Sequence, residues 1–189
     1  MRLRTLVVAD ARAYGITSAR TLFTATIGMS SFWLVVLYRI GHELHRYRIP
    51  VLPSVLRAVG LALWSAEIWT EATIGGGFRI AHSPGIVIGS ATVAGEGLTI
   101  FHGVTLGGSN VTSSDGTRNH PSIGDDVTIY PGAVVVGGIV VGDRATIAAN
   151  AVVLGNVPPD AVIAGAPARV VSSRGQRTAE DVDVQPSDG

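Results

Sequence analysis

An aliphatic residue recurs at every sixth position through the second half of the chain. Ile123, Ile129, Val135, Val141, Ile147 and Val153 keep this spacing without exception. Two residues before each stands a mostly small or apolar partner: Pro121, Val127, Ala133, Ile139, Ala145 and Ala151. Upstream the same count runs through Ile68, Ile74, Ile80, Ile86, Thr92, Leu98 and Val104, and only Thr92 is polar. A period of six matches neither a helix at 3.6 residues per turn nor a lone strand alternating at 2. It matches a short strand and a corner repeated around a coil, three units to a turn, with the inward aliphatics of each turn stacking on the turn below. The span 68–153 has room for roughly four to five such coils. The expected fold is mainly β, a hexapeptide parallel β-helix of the kind that in known examples winds left-handed.

Ahead of the repeat the pattern changes. No charged side chain occurs from Thr21 to Tyr38, and a second apolar stretch, Val55 to Trp69, is interrupted by Arg57. Between them lie a basic segment around Arg46 and Arg48 and the link Ile49-Pro50-Val51-Leu52-Pro53. This predicts two or three helices in a region covering 1–66. Two placements remain open. One is a helical cap packed on the repeat or on another subunit. The other is a hairpin at a membrane interface, with Trp33, Tyr38, Tyr47 and Trp64 near the headgroups and Arg39, Arg46 and Arg48 facing them. The uncharged run is at the lower edge of a bilayer span, diluted by Thr, Ser and Gly. Residues 1–19 lack the sustained apolar centre of a cleavable signal, so a cytoplasmic protein is expected, in contact with the inner face of the membrane under the second placement. The repeat region is expected over 67–171. The polar, acidic stretch 172–189 has no apolar period and is expected to be disordered.

Composition narrows the chemistry. Fourteen basic and fourteen acidic residues cancel, so no global field favours nucleic acid. Hydrophobic residues make up 47% and charged residues 15%, a low charge content that suits a chain with flat faces buried between subunits. Cysteine is absent, which removes disulfides, thiolate metal sites and a cysteine nucleophile. His42 and His45 lie three apart, with no third ligand at metal-site spacing, so no metal is expected.

The six-residue count fails between Val104 and Ile123. The excursion 107–121 is polar and glycine-bearing, too long for a corner, and ends at His120. A loop that leaves a regular scaffold is where binding and catalysis concentrate. His82 lies at least one coil earlier.

Several segments together resemble one family. They are His82-Ser83-Pro84-Gly85-Ile86-Val87-Ile88-Gly89, Gly103-Val104-Thr105-Leu106-Gly107-Gly108, Arg118-Asn119-His120-Pro121-Ser122-Ile123-Gly124, Asn156-Val157-Pro158-Pro159, and Gly165-Ala166-Pro167-Ala168-Arg169-Val170-Val171. Their order and approximate spacing over 67–171 resemble the serine acetyltransferase group of hexapeptide acyltransferases. The resemblance implies direct transfer of an acetyl group from acetyl-CoA to a hydroxyl, most simply that of L-serine. It implies His82 as general base, Glu67 as the carboxylate that orients its imidazole, and His120 as a second active-site histidine. Arg118, His102 and Ala81 fall in the implied acceptor site. Pro131, Ala148, Ala149 and Arg169 fall along the implied coenzyme groove, and the Gly107-Gly108 backbone is a candidate oxyanion donor. The family usually has Asp where this chain has Glu67, and commonly Asp where it has Ala81. A homotrimer with shared sites is implied, with a hexamer through the helical region as an extension.

A second resemblance, carried by Tyr38-Arg39-Ile40-Gly41-His42 and Leu98-Thr99-Ile100-Phe101-His102-Gly103, points to small exopolysaccharide acetyltransferases, including colanic-acid types, whose acceptors are sugar or lipid-linked glycan hydroxyls. A non-catalytic trimeric scaffold is the alternative outside enzymes.

Overall fold

The computed structural model describes residues 3–18, 20–21, 30–109 and 119–173. Three described helices come first: α1 (Leu3–Ala13), α2 (Ser30–Arg46) and α3 (Leu52–Trp64). From Glu67 onward the chain is built of short strands in three sheets, and strands three apart in sequence pair in parallel. The first sheet holds β1 (Glu67–Ile68), β4 (Val87–Ile88), β7 (Thr105–Gly107), β10 (Val134–Val136) and β13 (Val152–Val153). The second holds β2 (Thr73–Ile74), β5 (Val93–Ala94), β8 (Ser122–Ile123) and β11 (Val140–Val141). The third holds β3 (Arg79–Ile80), β6 (Thr99–Ile100), β9 (Thr128–Ile129), β12 (Thr146–Ile147) and β14 (Ala161–Ala164), closed by β15 (Arg169–Ser173), which turns back antiparallel. The chain therefore winds repeatedly past the same three faces.

The period explains the core. The second residue of each two-residue strand points inward and is buried, while the first is half-buried or exposed. Each buried Ile or Val contributes about 1.5–3 kcal/mol relative to exposure. Downstream of the excursion the inward positions are those the spacing predicts, from Ile123 to Val153. Upstream the register differs from the sequence reading. Ile88, Ala94, Ile100 and Leu106 occupy the strand positions, pairing upward with Leu106, Ile123, Ile129 and Val135. Ile86, Thr92, Leu98 and Val104 are the second inward set, buried two residues earlier. The cause is a two-residue insertion after Ile80: Ile68 pairs with Ile88, twenty residues on, where Ile88 pairs with Leu106, eighteen on. Both sets are apolar but for Thr92, so the count passes through the slip with that one break.

One corner, between the second and third sheets, shows why glycine is frequent. A Cβ on Gly75, Gly95, Gly124 or Gly142 would collide with the coil above, at Gly95, Asp125, Asp143 and Pro159 respectively. The same corner carries carboxylates that cap the coil below: Asp125 accepts from the Glu96 N–H at 2.7 Å, and Asp143 from the Asp125 N–H at 2.9 Å.

The helices replace the coil that is missing beneath β1, β2 and β3. Tyr14 donates its hydroxyl to the Ile80 carbonyl at 2.9 Å and accepts from the Ile80 N–H at 2.8 Å. Tyr38 donates to the Ala72 carbonyl at 2.7 Å, and burial pushes both phenols up, so they stay protonated. The His42 ring lies 2.8 Å from the Thr70 carbonyl. Arg39, 1% exposed, donates to the Ile74 and Gly75 carbonyls and to Asp10, whose carboxylate also accepts from the Phe78 N–H. Each side-chain nitrogen and oxygen of this pair has a partner, and removing either ion alone costs about 3–5 kcal/mol.

The helical-cap placement is therefore the one the contacts describe. Tyr38 and Arg39 face the coil, not a headgroup layer, because the free strand edge needs their polar atoms. Trp33 and Trp64 pack against apolar clusters. Tyr47 is exposed, as are Val51, Leu52, Val55, Leu61 and Leu63. No described helix is long and apolar enough to cross a membrane. The carboxyl-terminal boundary also shifts: β15 is ordered through Ser173, and 174–189 lie outside the described residues.

Candidate active site

The insertion that shifts the register creates the first part of the site. At the corner leading from the third sheet into the first, later coils turn in three residues, as in Phe101-His102-Gly103, with Gly103 and Gly132 at positive φ. In the lowest coil the equivalent corner is Ala81-His82-Ser83-Pro84-Gly85, with Gly103 bonded to the Pro84 carbonyl at 2.9 Å. His82 sits on this longer corner and is exposed. His102, one coil up, is also exposed, and the two rings meet edge to face with centroids 6.0 Å apart.

His120 stands at the opposite edge of the same sheet, where the chain leaves the first sheet for the second. The excursion departs after β7 and returns before β8, and the Ser109 N–H closes its neck on the Asn119 carbonyl at 3.0 Å. Gly89 and Gly108 make room for the imidazole. A Cβ on Gly89 would lie 2.5 Å from its Cδ2 and Nε2, and one on Gly108 would lie 2.7 Å from its Cε1. Nδ1 sits 2.7 Å from the Asn119 Oδ1, so the neutral ring donates there and keeps Nε2 as an acceptor. Partial burial lowers the His120 pKa below the usual histidine value, which favours that neutral ring.

Glu67 lies on β1, on the same sheet, but its carboxylate is claimed by α3. Arg57 donates to Oε1 at 2.9 Å while its guanidinium lies over the Trp69 ring, 3.9 Å from the centroid. No hydrogen bond joins Glu67 to His82 among the described residues. The expected dyad is thus replaced in this chain by an Arg57–Glu67 ion pair, a charge-assisted bond stronger than one to a neutral ring.

The remaining expected residues divide by place. Ala81 is half-buried beside His82. Gly107 is part of β7, its carbonyl accepting from the Gly137 N–H at 3.1 Å, and Gly108 faces the His120 ring. Pro131, Ala148 and Ala149 lie one and two coils above His102 on its corner. Arg169 is elsewhere, on β15, where it lines a cavity of about 290 Å³ with Leu154, Asn156, Val157, Pro167 and Val170. Arg118 lies outside the described residues. No cluster of histidine and carboxylate groups among the described residues is arranged to hold a metal ion.

Sequence reasoning missed Arg57 and a stacked pair, Phe101 on Tyr130, with centroids 5.2 Å apart and planes 11° apart. The available signal was that both directly follow an inward Ile, at equivalent positions of successive coils.

Comparison with known proteins agrees with this architecture. Residues 120–155 match the family described as "Bacterial transferase hexapeptide (six repeats)". The serine acetyltransferase of Bacillus subtilis is 36% identical over 168 residues, covering 89% of this chain and 76% of the relative. The crystal structure of Neisseria gonorrhoeae serine acetyltransferase superposes with a TM-score of 0.81 at 32% identity, over 90% of this chain and 66% of that one. Soybean serine acetyltransferase complexed with serine gives 0.80 at 33%, over 89% and 69%. The fold and its histidine-bearing corners thus define a hexapeptide-repeat acyltransferase. Within that class, the chain belongs to the serine acetyltransferase family. It spans about two thirds of the Neisseria chain. These relatives lend nothing to the polysaccharide reading.

Proposed function

We propose that this protein is an acetyl-CoA-dependent O-acetyltransferase acting on L-serine, built on a left-handed parallel β-helix and active as a trimer. The observation that carries this reading is the exposed imidazole of His82, on a corner lengthened by an insertion in the repeat of a chain of this family. His82 takes the proton of the acceptor hydroxyl as its oxygen attacks the thioester carbonyl carbon. The tetrahedral adduct then collapses, the carbon–sulfur bond breaks, and the departing thiolate recovers the proton from the imidazolium. His102, edge-on to His82, restrains that ring and borders the acceptor. His120, neutral and with Nε2 as acceptor, receives a hydrogen bond from the ammonium or hydroxyl of the amino acid.

One chain does not bring these groups together. The strand from Gly103 to Gly107 separates the two corners by roughly 13 Å of extended backbone. A trimer that sets one chain's His120 corner against the next chain's His82 corner completes the site. Acetyl-CoA is the co-substrate, and its arm runs along Pro131, Ala148 and Ala149.

The test follows thiol release from acetyl-CoA by purified protein with L-serine and, separately, sugar nucleotides and oligosaccharides. Serine-dependent release that disappears in His82→Ala is expected. Release only with glycans would replace the acceptor.

A further inference from the structure

Ala81, Phe101, Tyr130 and Ala148 form one vertical column. Each follows an inward Ile, and each donates its N–H to the Ile of the coil above: Ala81 to Ile100 at 2.9 Å, Phe101 to Ile129 at 3.1 Å, Tyr130 to Ile147 at 2.9 Å and Ala148 to Ile163 at 2.9 Å. Successive layers are therefore one strand spacing apart, about 4.8 Å. Two aromatic rings fill the middle layers and alanines occupy the layers above and below, so the stack is capped on neither side by a bulky neighbour of its own column. Tyr130 remains 39% exposed. Such a pair is an apolar step in a column otherwise of alanine. None of residues 81–85, 101–103, 130–132 or 148–150 is acidic.

The step lies on a path. Along the adjoining positions of the same corner run His82, His102, Pro131 and Ala149, from the lowest coil upward. A ligand reaching from Ala149 down to His82 crosses three layers, about 14 Å, and both intermediate layers are those of the aromatic pair. We propose that the Phe101–Tyr130 stack is a positioning platform for the acyl donor. Its exposed face packs against the planar amides of the donor's extended arm and directs the thioester toward His82. This rests on the reading of the corner as the coenzyme groove. It adds that the groove is shaped by side chains particular to this column. The acceptor, held at the lower end between His82 and His102, does not touch Tyr130.

The test is calorimetric titration of the intact protein with coenzyme A, together with steady-state kinetics. Tyr130→Ala is expected to weaken coenzyme A binding and raise the KM for acetyl-CoA by about threefold to tenfold, the range of one aromatic contact. The KM for L-serine stays within about twofold, and Tyr130→Phe behaves as wild type. Phe101→Leu, which keeps apolar volume but removes the lower ring, gives a smaller change in the same parameter and guards against a folding defect in the alanine variant. Coenzyme A binding unchanged in Tyr130→Ala, whether or not the KM for serine rises, overturns the platform while leaving the enzyme assignment intact. A wild-type protein that binds no coenzyme A overturns both together.

Discussion

The two histidine-bearing corners of the first sheet are built by opposite means. At the His82 corner the coil gains two residues and carries an exposed imidazole whose ring contact among the described residues is with another imidazole, His102. At the His120 corner side chains are removed: Gly89 and Gly108 leave a slot, and Asn119 fixes the ring within it. An exposed ring, edge-on to its neighbour, suits a base that must accept a proton and return it. A ring held between glycines with a fixed tautomer suits recognition. The difference teaches that a regular solenoid acquires chemistry at its corners, by insertion or by subtraction, without disturbing its inward rows.

The strongest way to break the contrast is His82→Ala, expected to lower kcat by about 10²–10⁴-fold while light scattering still reports the oligomer. A kcat unchanged within twofold would transfer the base role elsewhere. Filling the slot comes next. Gly89→Val forces the His120 ring aside, and displacement of a positioned group by about 1 Å costs on the order of 10²-fold in kcat/KM. Full activity in that variant would show that His120 need not occupy the slot.

Mixing sharpens the division between corners. His82→Ala and His120→Ala chains, each inactive, are expected on co-refolding to regain about a quarter of the wild-type rate, the fraction of sites drawing both intact histidines from different chains. No recovery, with mixed trimers demonstrated, would place both histidines in one chain's site. The smallest effect concerns pH. Burial lowers the proton affinity of His120 in the folded chain. Below the unfolded value of about 6.5 the unfolded state takes the proton first, so stability is full above that pH and declines as pH falls toward the folded value. His120→Gln should therefore flatten the dependence of unfolding free energy on pH between about 7 and 5 in urea titrations. An NMR titration placing the His120 midpoint above the usual histidine range would reverse the sign.

The repeat was legible because burial on a coil depends on aliphatic identity at fixed spacing, and Ile123 to Val153 satisfy it without error. The slip at Ile80 was not, since Ile86 and Ile88 are both aliphatic and both buried, and only pairing tells them apart. His82 and His120 stood out by motif, but their separation across a sheet depends on which corner each occupies. Arg39 was expected to face headgroups under the membrane-interface placement. Its true setting, between Asp10 and two carbonyls of a distant coil, is set by contacts with no local signature. Arg57 was seen only as an interruption in an apolar helix, and its bond to Glu67 arises from how α3 lies over β1.

The polar contacts beneath β1, β2 and β3 have a bearing on how this fold can change over generations. Tyr14, Tyr38, Arg39 and His42 occupy backbone groups that another coil, or a strand from a stranger, would otherwise claim. Growth from that end is blocked, and the returning β15 occupies one face at the other. Lengthening the prism therefore means duplicating an interior turn, whereas new capability enters at a corner, as at the neck that Ser109 and Asn119 close, without unpicking a sheet.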